Sequence, residues 1–231
     1  MTLPKIMVLH SGGLDSSVLL ATAIHRSGVD NVYTLSINYG SKQNDVERLA
    51  ASRVRDAMGL ATDHAIEYTA PFWGDALHPL VKGEVPQGDY SIQERNEIGT
   101  VKTYVPFRNG ILLSLAAGIA LDKGMDVIAY GAHTWDADNN CYPDCGVPFV
   151  QSMMSAVYEG TGHKLKLEVP FVQFTKEMIA QCGQRYNVPF DLTYSCYEGG
   201  IRHCGKCGTC IDRAKALASI GLDIEGNKLD G

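Results

Sequence analysis

The stretch Lys5-Ile6-Met7-Val8-Leu9-His10-Ser11-Gly12-Gly13-Leu14-Asp15-Ser16-Ser17 decides the fold. Residues 5–10 form a short apolar run that stops at Ser-Gly-Gly. Beyond it, Leu14, Val18, Leu19 and Ala23 recur at helical spacing. The stretch reads as strand, glycine-rich turn, helix. Such a turn offers several backbone N–H groups at the positive end of a helix dipole, a ready site for an anion. Gly12 and Gly13 let backbone approach phosphate oxygens, and Ser11, Ser16 and Ser17 add hydroxyl donors. Asp15 is an anion in the same loop, so it either caps the helix or holds Mg²⁺ against a pyrophosphate. No GKS or GKT Walker sequence and no GxGxxG occurs here.

Working outward, strands and helices alternate. Residues 32–38 read as a second strand, 45–58 as an amphipathic helix closed by Gly59, and 62–68 as a third strand. Residues 70–108 are rich in Gly, Pro and polar side chains and read as a long functional loop. Residues 110–121 predict a buried helix, 126–131 a fourth strand, and 149–159 a further helix after a polar loop over 132–148. Residues 165–169 predict a fifth strand, Thr175 caps a helix to about 184, and a last helix runs to about 220. The expected architecture is α/β: a Rossmann-like, five-stranded parallel sheet with helices on both faces. In such sheets ligands lie beyond the C-terminal ends of the strands, where all the irregular segments fall.

The bulk composition fits this reading. The chain has 231 residues, 45% hydrophobic and 20% charged, enough for a sizeable core. A formal charge of −6 and the lack of a basic run argue against nucleic acid as the main ligand. No signal peptide and no apolar stretch long enough for a bilayer are seen, so a cytoplasmic protein is expected. Four of the seven cysteines cluster as Cys196-x7-Cys204-x2-Cys207-x2-Cys210. Two short chelating spacings and four soft ligands suit a structural, tetrahedral Zn²⁺. An iron–sulfur cluster is the more serious alternative, and free thiols the other. The C-terminal segment 191–231 is thus expected to be a small zinc-binding unit packed on a main domain of residues 1–190.

The Ser11–Ser17 loop resembles that of the PP-loop (N-type) ATP pyrophosphatases, which split ATP to AMP and pyrophosphate and adenylate a substrate oxygen. Further motifs narrow the likeness: Val105-Pro106-Phe107-Arg108-Asn109, Gly131-Ala132-His133, Tyr142-Pro143-Asp144-Cys145, Tyr194-Ser195-Cys196-Tyr197, and His203-Cys204-Gly205-Lys206-Cys207-Gly208-Thr209-Cys210 with Arg213. In family order and over nearly the whole chain, they resemble the 7-cyano-7-deazaguanine synthase family. The resemblance implies conversion of 7-carboxy-7-deazaguanine and ammonia to the nitrile with ATP, through an adenylated acid and then an adenylated amide. A related ligase that stops at the amide, or uses another amine, is the alternative. The resemblance also implies a homodimer and one zinc on the four clustered cysteines. Two positions depart from the family pattern: Ser41-Lys42-Gln43 stands for a Gln-Arg-His-like run, and Gly146 for an Arg.

Candidate site residues follow. His10, Ser11, Gly12, Gly13, Leu14, Asp15, Ser16 and Ser17 form the ATP-binding set. Asp15, Lys176 and Arg108 are the catalytic candidates. Lys176, at a helix start, is placed to neutralise phosphate, or is a solvated lysine. Arg108 binds the substrate carboxylate or the α-phosphate, or else makes a salt bridge at the start of a helix. Asn109, His133, Asp144 and Cys145 complete the substrate candidates. Asp144 accepts a guanine-like edge or caps a loop, and His133 is a general base for ammonia or a structural residue.

Overall fold

β1 (Ile6–Leu9) is buried along its whole length and lies in the middle of the sheet. Its alternate residues serve two different cores. Ile6 and Val8 face one side, and Met7 and Leu9 the other. This period of two is what a strand covered on both faces requires. The computed structural model describes residues 2–70, 78–133 and 141–229.

The remaining strands are β2 (Val32–Asn38), β3 (Ala65–Thr69), β4 (Val127–Ala129) and β5 (Lys166–Glu168). They form one parallel sheet in the order β3-β2-β1-β4-β5. The register pairs Ile6 with both Val32 and Val127. The order reverses beside β1, so the crevice opens at the C-terminal ends of β1, β2 and β4. On one face lie α1 (Leu14–Ser27), α5 (Lys176–Arg185) and α6 (Gly208–Ala218), with Leu14, Val18, Ile179, Ala216 and Leu217 in the shared core. On the other lie α3 (Arg108–Asp122) and α4 (Val147–Gly160), through Leu113, Ala116, Val150 and Val157. α2 (Asn44–Ala57) sends Val54 into the first core and Ala50 toward the cysteine segment.

The expected five parallel strands and two helical faces are all present. Several element ends differ from the expected ones, two of them for clear local reasons. Residues 62–64 form a 3₁₀ turn before β3 rather than strand, with the His64 ring stacked on Tyr33. α3 begins at Arg108, so Arg108 and Asn109 stand in its first turn instead of before it. α6 packs Ala216 and Leu217 into the core shared with α1 and α5. Thr175 caps α5 as expected, its Oγ1 accepting from Met178 N at 3.3 Å. Of the long loop, residues 78–107 are described and contain turns and isolated bridges only; residues 71–77 lie outside the described set, as do residues 134–140 of the 132–148 loop.

Gly12 has φ +80, and a side-chain carbon on it would meet Ala51 N at 2.4 Å and Glu47 O at 2.8 Å. The backbone of α2 therefore rests on this position, which only glycine allows. Gly12→Ala combines left-handed strain with overpacking, and should cost about 2–5 kcal/mol. A urea titration read by circular dichroism checks this; an unchanged midpoint would show that α2 yields at no cost.

Candidate active site and metal centre

A cavity of about 480 Å³ opens at the strand ends. The Ser11–Ser17 loop contributes to its lining. Ser11, Gly13, Leu14, Asp15 and Ser16 line it, together with His10, Arg108 and Lys176. Gly13 is the N-cap of α1 and offers no side chain to the first turn. The hydroxyl of Ser16 stays inside the loop, 3.3 Å from Ser11 N and 3.2 Å from Gly13 O.

Asp15 does not cap the helix; it is the centre of a charge cluster. Its Oδ2 lies 3.3 Å from Lys176 Nζ and 3.8 Å from His133 Nε2. Burial opposes its ionisation, but Lys176 and His133 outweigh that and hold the carboxyl well below the usual range. Oδ1 has no hydrogen-bond partner among the described residues. A buried anionic oxygen with an open lone pair fits a divalent cation, the second of the two roles expected for Asp15. Lys176 is 11% exposed at its side chain, so it is not a solvated lysine.

The other side of the cavity is aromatic. Tyr39, Tyr90, Tyr130 and Tyr197 line it. Arg108 Nη1 donates to Tyr39 Oη at 3.2 Å, and its guanidinium lies 5.6 Å from that ring's centroid. Burial opposes the charge on Arg108, yet the facing phenols of Tyr39, Tyr197 and Tyr130, with Asp144, raise its pKa further. Asn109 Nδ2 donates to Cys145 Sγ at 3.3 Å and to Asp144 O at 3.2 Å, and both Asn109 and Cys145 line the cavity.

Four expected residues do not line the cavity. Gly12 faces α2. Ser17 is fully buried beneath the loop, its Oγ 3.2 Å from His10 Nε2. His133 is fully buried behind Asp15. Asp144 is buried, and its Oδ2 accepts from Asn109 N at 3.0 Å, a carboxylate at the positive end of α3. The sequence reading missed Gln43, Glu47, Tyr90, Ser195, Tyr197 and Thr209, all of which line the cavity. For Gln43 and Glu47 the signal was their i, i+4 spacing on a helix following a strand end.

Cys196, Cys204, Cys207 and Cys210 come together, with all four sulfurs within 4.8 Å of one another. Cys204 Sγ and Cys210 Sγ are 3.8 Å apart. A tetrahedron with metal–sulfur bonds of about 2.3 Å has an edge of about 3.8 Å, so the set fits Zn²⁺. Backbone N–H groups of Lys206 and Cys207 point at Cys204 Sγ, at 3.4 and 3.3 Å. Hydrogen bonds from Cys207 and Cys210 hold Cys196 well below the ordinary thiol range, and Cys196 in turn pushes Cys207 up to about 12. A dication relieves that conflict by letting all four ionise.

This centre is tied to the cavity. Tyr194 N donates to Gly12 O at 2.9 Å, and Leu14 N to Ser195 Oγ at 3.4 Å. His203 accepts from Ser195 N at 3.2 Å and is itself held by Glu225 at 2.9 Å. The long loop is pinned from the same side: Gly88 N donates to Lys206 O at 2.8 Å, Lys215 pairs with Asp89 at 2.6 Å, and the Tyr90 ring covers Gly208.

Comparison with known proteins decides the family. The family model of queuosine biosynthesis protein QueC matches residues 5–221. The chain belongs to the QueC family. Among curated relatives named 7-cyano-7-deazaguanine synthase, that of Porphyromonas gingivalis is 36% identical over 94% of this chain and 93% of its own length. That of Desulfotalea psychrophila is 36% identical over 95% and 96%, and that of Allorhizobium ampelinum 38% identical over 94% and 89%. No helix among the described residues is long and apolar enough to cross a membrane.

Two measurements test this QueC-family site. Elemental analysis should find one zinc per chain, lost in Cys207→Ala together with several degrees of melting temperature. One zinc retained in that variant would move the metal elsewhere. Burial, reinforced by Arg55, pushes the His10 imidazole down to about 3 from 6.5. Between those values the unfolded chain binds the extra proton. Stability should therefore fall as pH drops through this window, by up to about 1.4 kcal/mol per unit, and fall less in His10→Gln. Parallel slopes in urea titrations from pH 7 to 5 would place a charged His10 in the folded protein.

Proposed function

We propose that the chain converts 7-carboxy-7-deazaguanine and ammonia to 7-cyano-7-deazaguanine, splitting ATP to AMP and pyrophosphate through an adenylated acid and an adenylated amide. One observation carries the reading. The charge cluster of Asp15 and Lys176 lies on a glycine-rich helix N-terminus, in one cavity with the ring-lined pocket of Arg108 and Tyr197.

The roles follow from charge and position. A carboxylate is a poor electrophile, and adenylation converts its oxygen into a good leaving group. The backbone N–H groups at the start of α1 and the ammonium of Lys176 hold the phosphate chain and stabilise the departing pyrophosphate. Asp15 keeps Lys176 aimed at the loop, and its Oδ1 would hold Mg²⁺, which when bound neutralises phosphate charge. Arg108 orients the acid against the α-phosphate, with its guanidinium fixed by Tyr39. Tyr90 and Tyr197 offer faces and edges for the flat deazapurine. Asn109 and Cys145 shape the end of that pocket. Asp144 and His133 act from behind, as positioning residues for Asn109 and Asp15. The zinc centre supplies no chemistry; it holds Ser195 and Tyr197 in the wall.

The test incubates the protein with the acid, ATP, Mg²⁺ and ammonium, and follows AMP and products by mass spectrometry. The nitrile with two AMP per turnover is expected. The amide alone would mark a ligase that stops halfway, and failure to consume the acid would overturn the reading. Lys176→Met should fold normally and lower AMP release by about 10²–10³-fold.

A further inference from the structure

The geometry points to a binding site for the amine: Gln43 and Glu47 of α2 capture ammonium beside the phosphate loop, and the Glu47 carboxylate takes its proton before attack. This deepens the proposed reaction and rests on it.

Gln43 and Glu47 are one turn apart, joined by the hydrogen bond from Glu47 N to Gln43 O at 2.8 Å, so they share a helix face. Both line the cavity. Gln43 is 1% exposed, yet its Oε1 has no hydrogen-bond partner among the described residues. A buried carbonyl oxygen facing a cavity without a donor awaits a ligand that carries one. The helix that bears the pair is fixed against the loop, since its backbone occupies the space beside Gly12. The pair therefore stands beside the start of α1, where the proposed leaving group departs. An unsatisfied amide oxygen beside a carboxylate suits a small N–H-rich cation.

The electrostatics agree. Burial pushes Glu47 up to about 7, opposed by Arg108 of α3, and Tyr194 of the C-terminal segment also faces it. A carboxylate in that range is a far better base toward ammonium than an ordinary one. At neutral pH most of the amine is ammonium, which has no lone pair to attack with. In the step, the Glu47 carboxylate takes one proton from ammonium. The freed lone pair forms the C–N bond at the acyl carbon, and the C–O bond to AMP breaks. AMP leaves with that bonding pair, and the surplus proton on nitrogen passes to water.

The test replaces Glu47→Gln and compares two nucleophiles at pH 7. Hydroxylamine is largely neutral there and needs no base. The variant should form the amide from ammonium about a hundredfold more slowly, with a raised KM for ammonium. It should still form the hydroxamate, and exchange pyrophosphate into ATP in the presence of the acid, within about twofold of the unaltered protein. Gln43→Leu should raise KM for ammonium and leave the hydroxamate rate unchanged. Equal losses with both nucleophiles, accompanied by a raised KM for the acid, would overturn the inference and make Glu47 a ligand of the deazapurine ring. Unchanged rates with both would reduce the pair to a wall. If the unaltered protein neither exchanges pyrophosphate nor consumes the acid, the proposed function fails first and takes this inference with it.

Discussion

The hydrogen bond from Tyr194 N to Gly12 O joins the two ends of the functional apparatus. With the bond from Leu14 N to Ser195 Oγ and the shared core of α1 and α6, it braces the Ser11–Ser17 loop from the side, while α2 braces it from behind. Gly12 is the meeting point for both. Its carbonyl takes the bond from Tyr194, and its missing side chain makes room for α2. Removing a few side-chain atoms at one position thus lets three segments distant in sequence converge.

The cavity built on this junction is divided by charge. Lys176 and Arg108 supply positive charge from two different helices, and Asp15 and Glu47 supply carboxyl groups from two others. The two acids behave in opposite ways. Asp15 touches a lysine and stays ionised, whereas Glu47 loses more from burial than it gains from Arg108. The difference lies in the partners, since Asp15 is met by Lys176 and His133 through both charge and hydrogen bonds, and Glu47 by the charge of Arg108 alone.

Much of this was legible in the sequence where the cause is local. A strand, two glycines and a helix are read within a dozen residues, and the four cysteines declare their own geometry by spacing. The strand count followed from apolar periodicity alone. What escaped depends on tertiary placement. Ser17 and Ser16 are neighbours of one type, and only the packing of α1 turns the first beneath the loop and leaves the second in the cavity wall. Asp144 could be read as recognising a ligand or as capping a loop, and the chain brings the start of α3 onto it. Gln43 stood out only as a departure from the family pattern and Glu47 not at all, because nothing nearby in sequence says that the segment after Tyr194 packs against them. Gly199 lies against the backbone of Lys42 and Gln43 across that long separation.

The strand order has a consequence for how the protein is made. β1 is complete within the first ten residues, but one of its neighbours, β4, is synthesised more than a hundred residues later. Until then one edge of an entirely apolar strand is open on the growing chain, the kind of surface that seeks any other strand. The phosphate loop waits longer still, since its brace at Tyr194 emerges after four-fifths of the chain. The cavity is therefore among the last features to exist, and a partly made chain carries the Ser11–Ser17 loop without the residues that brace it.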